Sequence, residues 1–105
     1  SIELGDKSFE TLIEKVDLLI NIKSFESAKL HLLNLLKEHP ENIEVIFRLS
    51  GVLLNQNETE SGYYYLLYGL KVNKDYVNKF QEIFPDIFLS AEIQNFIKSY
   101  IKSSN

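Results

Sequence analysis

The chain has no cysteine, no methionine and no tryptophan, and only two prolines and four glycines among its 105 residues. Without cysteine there are no disulfides, no thiolate zinc sites and no cysteine nucleophile, although missing thiols do not by themselves fix a compartment. Methionine is absent even at position 1, so the chain is read as processed or cut from something longer. So little glycine and proline favours long uninterrupted helices over a turn-rich sheet protein. No apolar run reaches the roughly 18 residues that span a bilayer, and the N-terminus lacks the charged-then-apolar order of a secretory signal. Basic residues are also few: 11 Lys and Arg against 15 Asp and Glu leave a formal charge of −4. That is too little positive surface to neutralise a run of phosphates. Neither nucleic acid nor membrane is an expected partner, and the cytoplasm is the expected compartment.

What is present is an ordinary globular composition, 45% hydrophobic and 25% charged, long enough for one core without a metal or disulfide. Phe9, Leu12, Ile13, Val16, Leu19 and Ile20 recur at the three-and-four spacing of one helix face and predict a first helix over about 8–22. After Lys23-Ser24, a second stretch with Phe25, Ala28, Leu32, Leu35 and Leu36 runs to His39-Pro40, where proline disfavours helix in the residue before it. A third helix over about 42–55 carries Ile43, Ile46, Phe47, Leu49, Ser50, Leu53 and Leu54. Asn57-Glu58-Thr59-Glu60 reads as a capping box opening a fourth helix over about 58–73, with Tyr65, Leu66, Gly69, Leu70 and Val72. Val77, Phe80, Ile83 and Phe84 form a short fifth helix stopped by Pro85. A last helix over about 90–103 starts at Ser90 as N-cap, with Ile93, Phe96, Ile97, Tyr100 and Ile101 on one stripe and Gln94, Asn95, Lys98 and Lys102 facing away. The expectation is six helices, no strand, and turns near 23–24, 40–41, 56–57, 74–75 and 85–89.

Slid along itself until Glu10 meets Glu44, the sequence also matches at Leu19/Leu53, Asn21/Asn55, Glu26/Glu60, Ser27/Ser61, Leu32/Leu66, Leu33/Leu67, Leu36/Leu70 and Lys37/Lys71. A period of 34 is that of tetratricopeptide repeats, and residues 9–76 resemble two consecutive repeats of that family. The second unit offers Ile46, Leu49, Ser50 and Leu53, then Gly62, Leu66 and Gly69. The first offers Leu12, Val16 and Leu19, then Phe25, Ala28, Leu32 and Pro40. It departs from the family at Lys15 and Val16, where Leu and a small residue stand, at Leu35, a small position, and at Lys74, a proline position. The resemblance implies an all-α, antiparallel helix-pair solenoid: one domain over 1–105, with repeats at 9–42 and 43–76 and a degenerate third unit and cap at 77–103. The cap is needed because the last repeat would otherwise leave its apolar side in water.

Nothing in the chain gathers as an active site, and no enzyme activity, metal or cofactor is expected. His31 and His39 are eight apart with no carboxylates arranged to complete a metal triad. Glu10, Glu14 and Asp17 share a helix face and paired acids can work as general acid and base. No glycine-rich loop, nucleophile motif or metal motif accompanies them, so they read as a solvated face.

Two surfaces are candidates for binding. By resemblance, the first helix of each pair lines a concave groove, which here would be formed by Glu10, Ile13, Glu14, Asp17, Ile20 and Asn21, then Glu44, Phe47, Arg48, Gly51, Leu54 and Asn55. Family members that clamp a carboxylate use Lys and Asn at such places; Ile13 and Asp17 do not support that role. An acidic groove with apolar steps suits a basic or neutral protein or peptide segment anchored at Phe47 and Leu54. The second surface is the outer helices, where Leu30, Leu33, Tyr64, Leu67 and Tyr68 stand at places the family leaves polar. An apolar patch there marks a dimer or domain interface unless the C-terminal third folds back over it. The expected function is a protein-interaction scaffold working through its groove. The alternative is a structural or oligomerisation segment, including a homodimer, working through its outer face.

Overall fold

A computed structural model describes residues 2–104, with side chains from Phe9 to Ser104. All regular structure among the described residues is helical. In chain order the elements are α1 (Ile2–Asn21), α2 (Phe25–Glu38), α3 (Ile43–Asn55), α4 (Thr59–Asn73), a 3₁₀ turn (Lys74–Tyr76), α5 (Val77–Ile83), the single turn α6 (Pro85–Phe88) and α7 (Ala91–Ser103). The all-α expectation and its six helices stand. The differences are that α1 begins earlier than residue 8 and that 85–88, expected as loop, closes one helical turn on Pro85. Proline suits the first turn because its missing N–H has no partner there in any helix.

The joint between α1 and α2 and the joint between α3 and α4 are the same structure, one repeat period apart. The N–H of Lys23 bonds the carbonyl of Ile20 and that of Ser24 the carbonyl of Leu19; Asn57 bonds Leu54 and Glu58 bonds Leu53 in the same way. Lys23 and Asn57 both have left-handed backbones, φ 65° and 63°. Each joint is therefore a Schellman ending, in which one left-handed residue turns the last carbonyls of a helix inward. This overturns the capping box expected at 57–60: Asn57 is recruited by the helix behind it, and Glu58, though at the N-cap, makes no side-chain cap. The Glu58 carboxylate instead accepts from Lys29 Nζ at 3.0 Å. At α3 the cap does form, with Asn42 Oδ1 accepting from the N–H groups of Glu44 and Val45. Ser90 sits at the N-cap of α7 without a side-chain bond.

Lysine is a poor left-handed residue, since its Cβ crowds the following carbonyl. Replacing Lys23→Gly should raise stability by about 0.5–1 kcal/mol and the melting temperature by a few degrees. The lost Lys23–Asp86 pair, 3.8 Å long between well-exposed side chains, offsets little of that. Thermal melts of the two proteins check it, and a lower melting temperature for the glycine variant would contradict the account.

Helix α3 is the centre of the molecule. Every residue from Val45 to Leu54 is buried, because α1, α2, α4, α5 and α6 all pack on it. Two glycines of α4 let it lie close: a Cβ on Gly69 would meet the Phe47 ring at 2.8 Å, and one on Gly62 the Leu54 side chain at 2.7 Å. Ser50, buried among apolar neighbours, donates to the Gly62 carbonyl at 2.9 Å, which removes the cost of an unpaired hydroxyl. In α7, Ile93 and Ile97 are buried as expected and Phe96, Tyr100 and Ile101 half so. Gln94, expected to face away, turns in to donate to the Phe88 carbonyl at 3.0 Å. Val72, expected on the inner stripe of α4, is exposed.

Candidate functional site

The expected groove is filled by the chain itself. Phe47, the proposed anchor, is 0% exposed and Leu54 only 9%; Ile13, Ile20 and Gly51 are buried as well. The 3₁₀ turn and α5 lie across this side, α5 reaching α1 as well as α3. Ring centroids of Tyr76 and Phe80 stand 5.3 Å and 5.5 Å from that of Phe47. Phe84 stacks on at 5.4 Å from Phe80 and its ring occupies the space a Cβ on Gly51 would need. Phe47 and Leu54 are thus core residues. The spacing of Phe80, Phe84 and Phe88 by four was the sequence feature that marks a segment with an apolar stripe to bury, and it buries that stripe inward, not over the outer helices.

Arg48 is also withdrawn from the surface. Its Nε and Nη2 donate to the two carboxylate oxygens of Asp17 at 2.7 and 3.1 Å, and its Nη1 donates to the Tyr76 hydroxyl at 2.8 Å and the Glu44 carbonyl at 3.1 Å. Burial works against the guanidinium charge, but its bonds to Asp17 and Tyr76 outweigh that and hold the pKa above its ordinary value. Such a planar fork satisfied on both edges is structural in character. It ties α1, α3 and the turn before α5 together.

What remains open on this side is a cleft of about 590 Å³ between α1 and α5, lined by Glu14, Asp17, Leu18, Ile20, Asn21, Lys79, Glu82 and Ile83. Of the expected groove residues it keeps Glu14, Asp17, Ile20 and Asn21; Glu10 is exposed beyond it, Glu44 is half-buried, and Asn55 turns its amide to the Gly51 carbonyl at 2.9 Å. Leu18, unremarked in the sequence, is 66% exposed at its rim.

The outer face is different. Leu30 is 54% and Tyr64 63% exposed, Leu33 is exposed beside them, and Leu67 and Tyr68 are half-buried. Leu30 and Tyr64 hold equivalent places in the two repeats, as do Leu33 and Leu67, so the row recurs from α2 to α4. A shallow dish of about 750 Å³ on α2 is lined by Leu30, Leu33, Asn34, Leu36, Lys37 and Pro40. One further period along, on α7, Lys98 stands where Leu30 and Tyr64 stood and is exposed. The apolar row ends there.

Comparison with protein-family profiles, curated proteins and solved structures finds no match. Among the described residues no three His, Asp or Glu side chains gather closely enough to hold a metal ion, and no helix is long and apolar enough to cross a membrane. The two histidines have local tasks: His31 Nδ1 lies 2.9 Å from the Ser27 carbonyl, and His39 meets the Phe9 ring edge-on at 4.7 Å. Between α4 and α7, Tyr63 packs on Phe96 at 4.8 Å; burial, helped by Glu92, raises its hydroxyl pKa, so it stays a neutral donor.

Proposed function

We propose that this chain is a protein-docking module of the tetratricopeptide type, without catalytic activity, whose working surface is the outer face of α2 and α4. The observation that carries this is the exposure of Leu30, Leu33 and Tyr64 in a row repeated from one helix pair to the next, while Phe47 and Leu54 are covered by the chain itself. Repeated joints at Lys23 and Asn57 support the repeat reading. Large apolar side chains held in water on rigid helices are the usual anchors of a protein interface. An acidic chain with no basic stripe supports a protein partner over nucleic acid.

The α1/α5 cleft supports a second reading, in which a basic or neutral segment enters beside Leu18 and is attracted by Glu14 and the outer edge of Asp17. Paired variants separate the two. Leu30→Glu with Tyr64→Glu should remove a bound protein partner and leave folding intact, while Leu18→Glu with Glu14→Lys should leave that partner in place. The reverse outcome, read by co-precipitation and by calorimetry with the purified partner, would move the working surface to the cleft.

A further inference from the structure

The outer face carries more than apolar residues, and its charges are ordered. On α2, Glu26, Leu30, Leu33 and Lys37 follow one another at spacings of four, three and four, which places them on one exposed stripe. On α4, Glu60, Tyr64, Leu67 and Lys71 repeat the same order one period later. Each stripe is acid, apolar, apolar, base, and so is its own complement when read backwards. If a second copy of α2 is laid antiparallel on the first, Leu30 falls opposite Leu33, and Glu26 opposite Lys37. The same holds for α4, where Tyr64 meets Leu67 and Glu60 meets Lys71. A parallel arrangement would instead set acid against acid and base against base.

Both stripes are satisfied by one symmetry operation. The midpoint of α2's stripe lies between Leu30 and Leu33 and that of α4 between Tyr64 and Leu67, equivalent places in two helix pairs with the same joint geometry. One two-fold axis running across both helices, in the plane of the face, passes through both midpoints. It turns α2 onto the α2 of the partner and α4 onto the α4 of the partner. That is the isologous contact of a cyclic dimer, closed and unable to grow into a filament.

We infer that the outer face pairs with a second copy of this chain, α2 on α2 and α4 on α4 in antiparallel register, with four Glu–Lys pairs framing a Leu/Tyr centre. This rests on the outer face being the docking surface and goes further in naming the occupant. Charge order makes the case for a second copy over an unrelated helix, because only a copy carries the same stripe reversed. Lys98 of α7, exposed where a third apolar position would continue the row, sets the edge of the interface. Glu26 already holds Gln56 Nε2 through Oε1 at 2.9 Å, which fixes its carboxylate at the rim. Glu60 and Lys71 have no hydrogen bond or ion pair among the described residues, which makes them the cleaner pair to test.

Sedimentation equilibrium over micromolar to millimolar protein should give a mass rising from 12.2 kDa toward twice that value, with a dissociation constant in roughly the micromolar range for a face two helices wide. Glu60→Lys or Lys71→Glu alone creates two like-charge contacts in the dimer and should weaken it about tenfold or more at low salt. High salt should narrow the difference. The double variant, Glu60→Lys with Lys71→Glu, restores opposite charges in the reversed order and should recover the affinity to within about threefold. All these residues are exposed, and unchanged circular dichroism melts confirm that each variant is folded. A protein that stays at 12.2 kDa throughout, or a dimer that the single changes do not weaken, or a double variant no better than either single, overturns the pairing. A monomer whose separate protein partner is lost on Tyr64→Glu would overturn the pairing alone and keep the docking face. A monomer whose partner is untouched by that change would overturn both.

Discussion

Phe80→Ala should lower stability by about 3–5 kcal/mol, the usual cost of emptying a buried phenylalanine site that its surroundings cannot refill. Phe80 is fully buried and is the one ring that touches Phe47, Phe84 and Phe88 together. Its loss leaves three aromatic side chains with a common hole. Against a net stability of roughly 5–15 kcal/mol for a domain of this kind, that is a third or more of the whole. The melting temperature should fall by roughly 12 °C or more. Denaturant titration checks it, with Tyr64→Ala on the exposed face as the comparison, expected to stay within about 0.5 kcal/mol. If α5 were a segment resting in a groove that belongs to another protein, the outcome would differ. Then Phe80→Ala would free α5 and leave the cooperative melt of α1 to α4 where it was.

Asp17→Ala should cost about 2–3 kcal/mol. The guanidinium of Arg48 would lose both carboxylate bonds while keeping those to Tyr76 and Glu44, and a buried charge stripped of its counter-ion is expensive. The figure is set below that of a fully buried pair because the Asp17 side chain is 40% exposed, so water can partly replace the carboxylate. A second change distinguishes charge from packing. In the presence of Asp17→Ala, Arg48→Met removes the stranded charge and keeps most of the volume, so the double variant should be more stable than Asp17→Ala alone. Equal or lower stability of the double variant would mean that the guanidinium bonds to Tyr76 and Glu44 matter more than its charge balance.

These two residues also mark where sequence and structure part. The helices were legible because each buries one stripe and the three-and-four spacing reports that stripe directly, as in Ile13, Val16 and Ile20 or Ala28, Leu32 and Leu35. Local rules failed only where two elements compete for the same residue. Asn57 is a good cap by composition, yet the helix before it claims it as a left-handed ending. The groove was not legible, because the exposure of Phe47 is decided by where a segment far along the chain, from Tyr76 to Phe84, comes to rest. Helix periodicity cannot distinguish a core face from an empty concave face, since both are apolar. The outer row of Leu30, Leu33 and Tyr64 could be read because it departs from the polar residues that a solvated helix face carries, and that departure needs no knowledge of distant packing.

Contact between α1 and α5 bears on how such a chain can change its length. A stack in which every unit touches only its neighbours accepts duplication, since one more unit sees the same surroundings on either side. Here the ends of the array have met. An extra helix pair inserted before Lys74 would move α5 one unit further from α1, taking Tyr76 from Arg48 and Phe80 from Phe47 at once. Unit number in this fold is set by closure, in the way that a ring fixes its own membership.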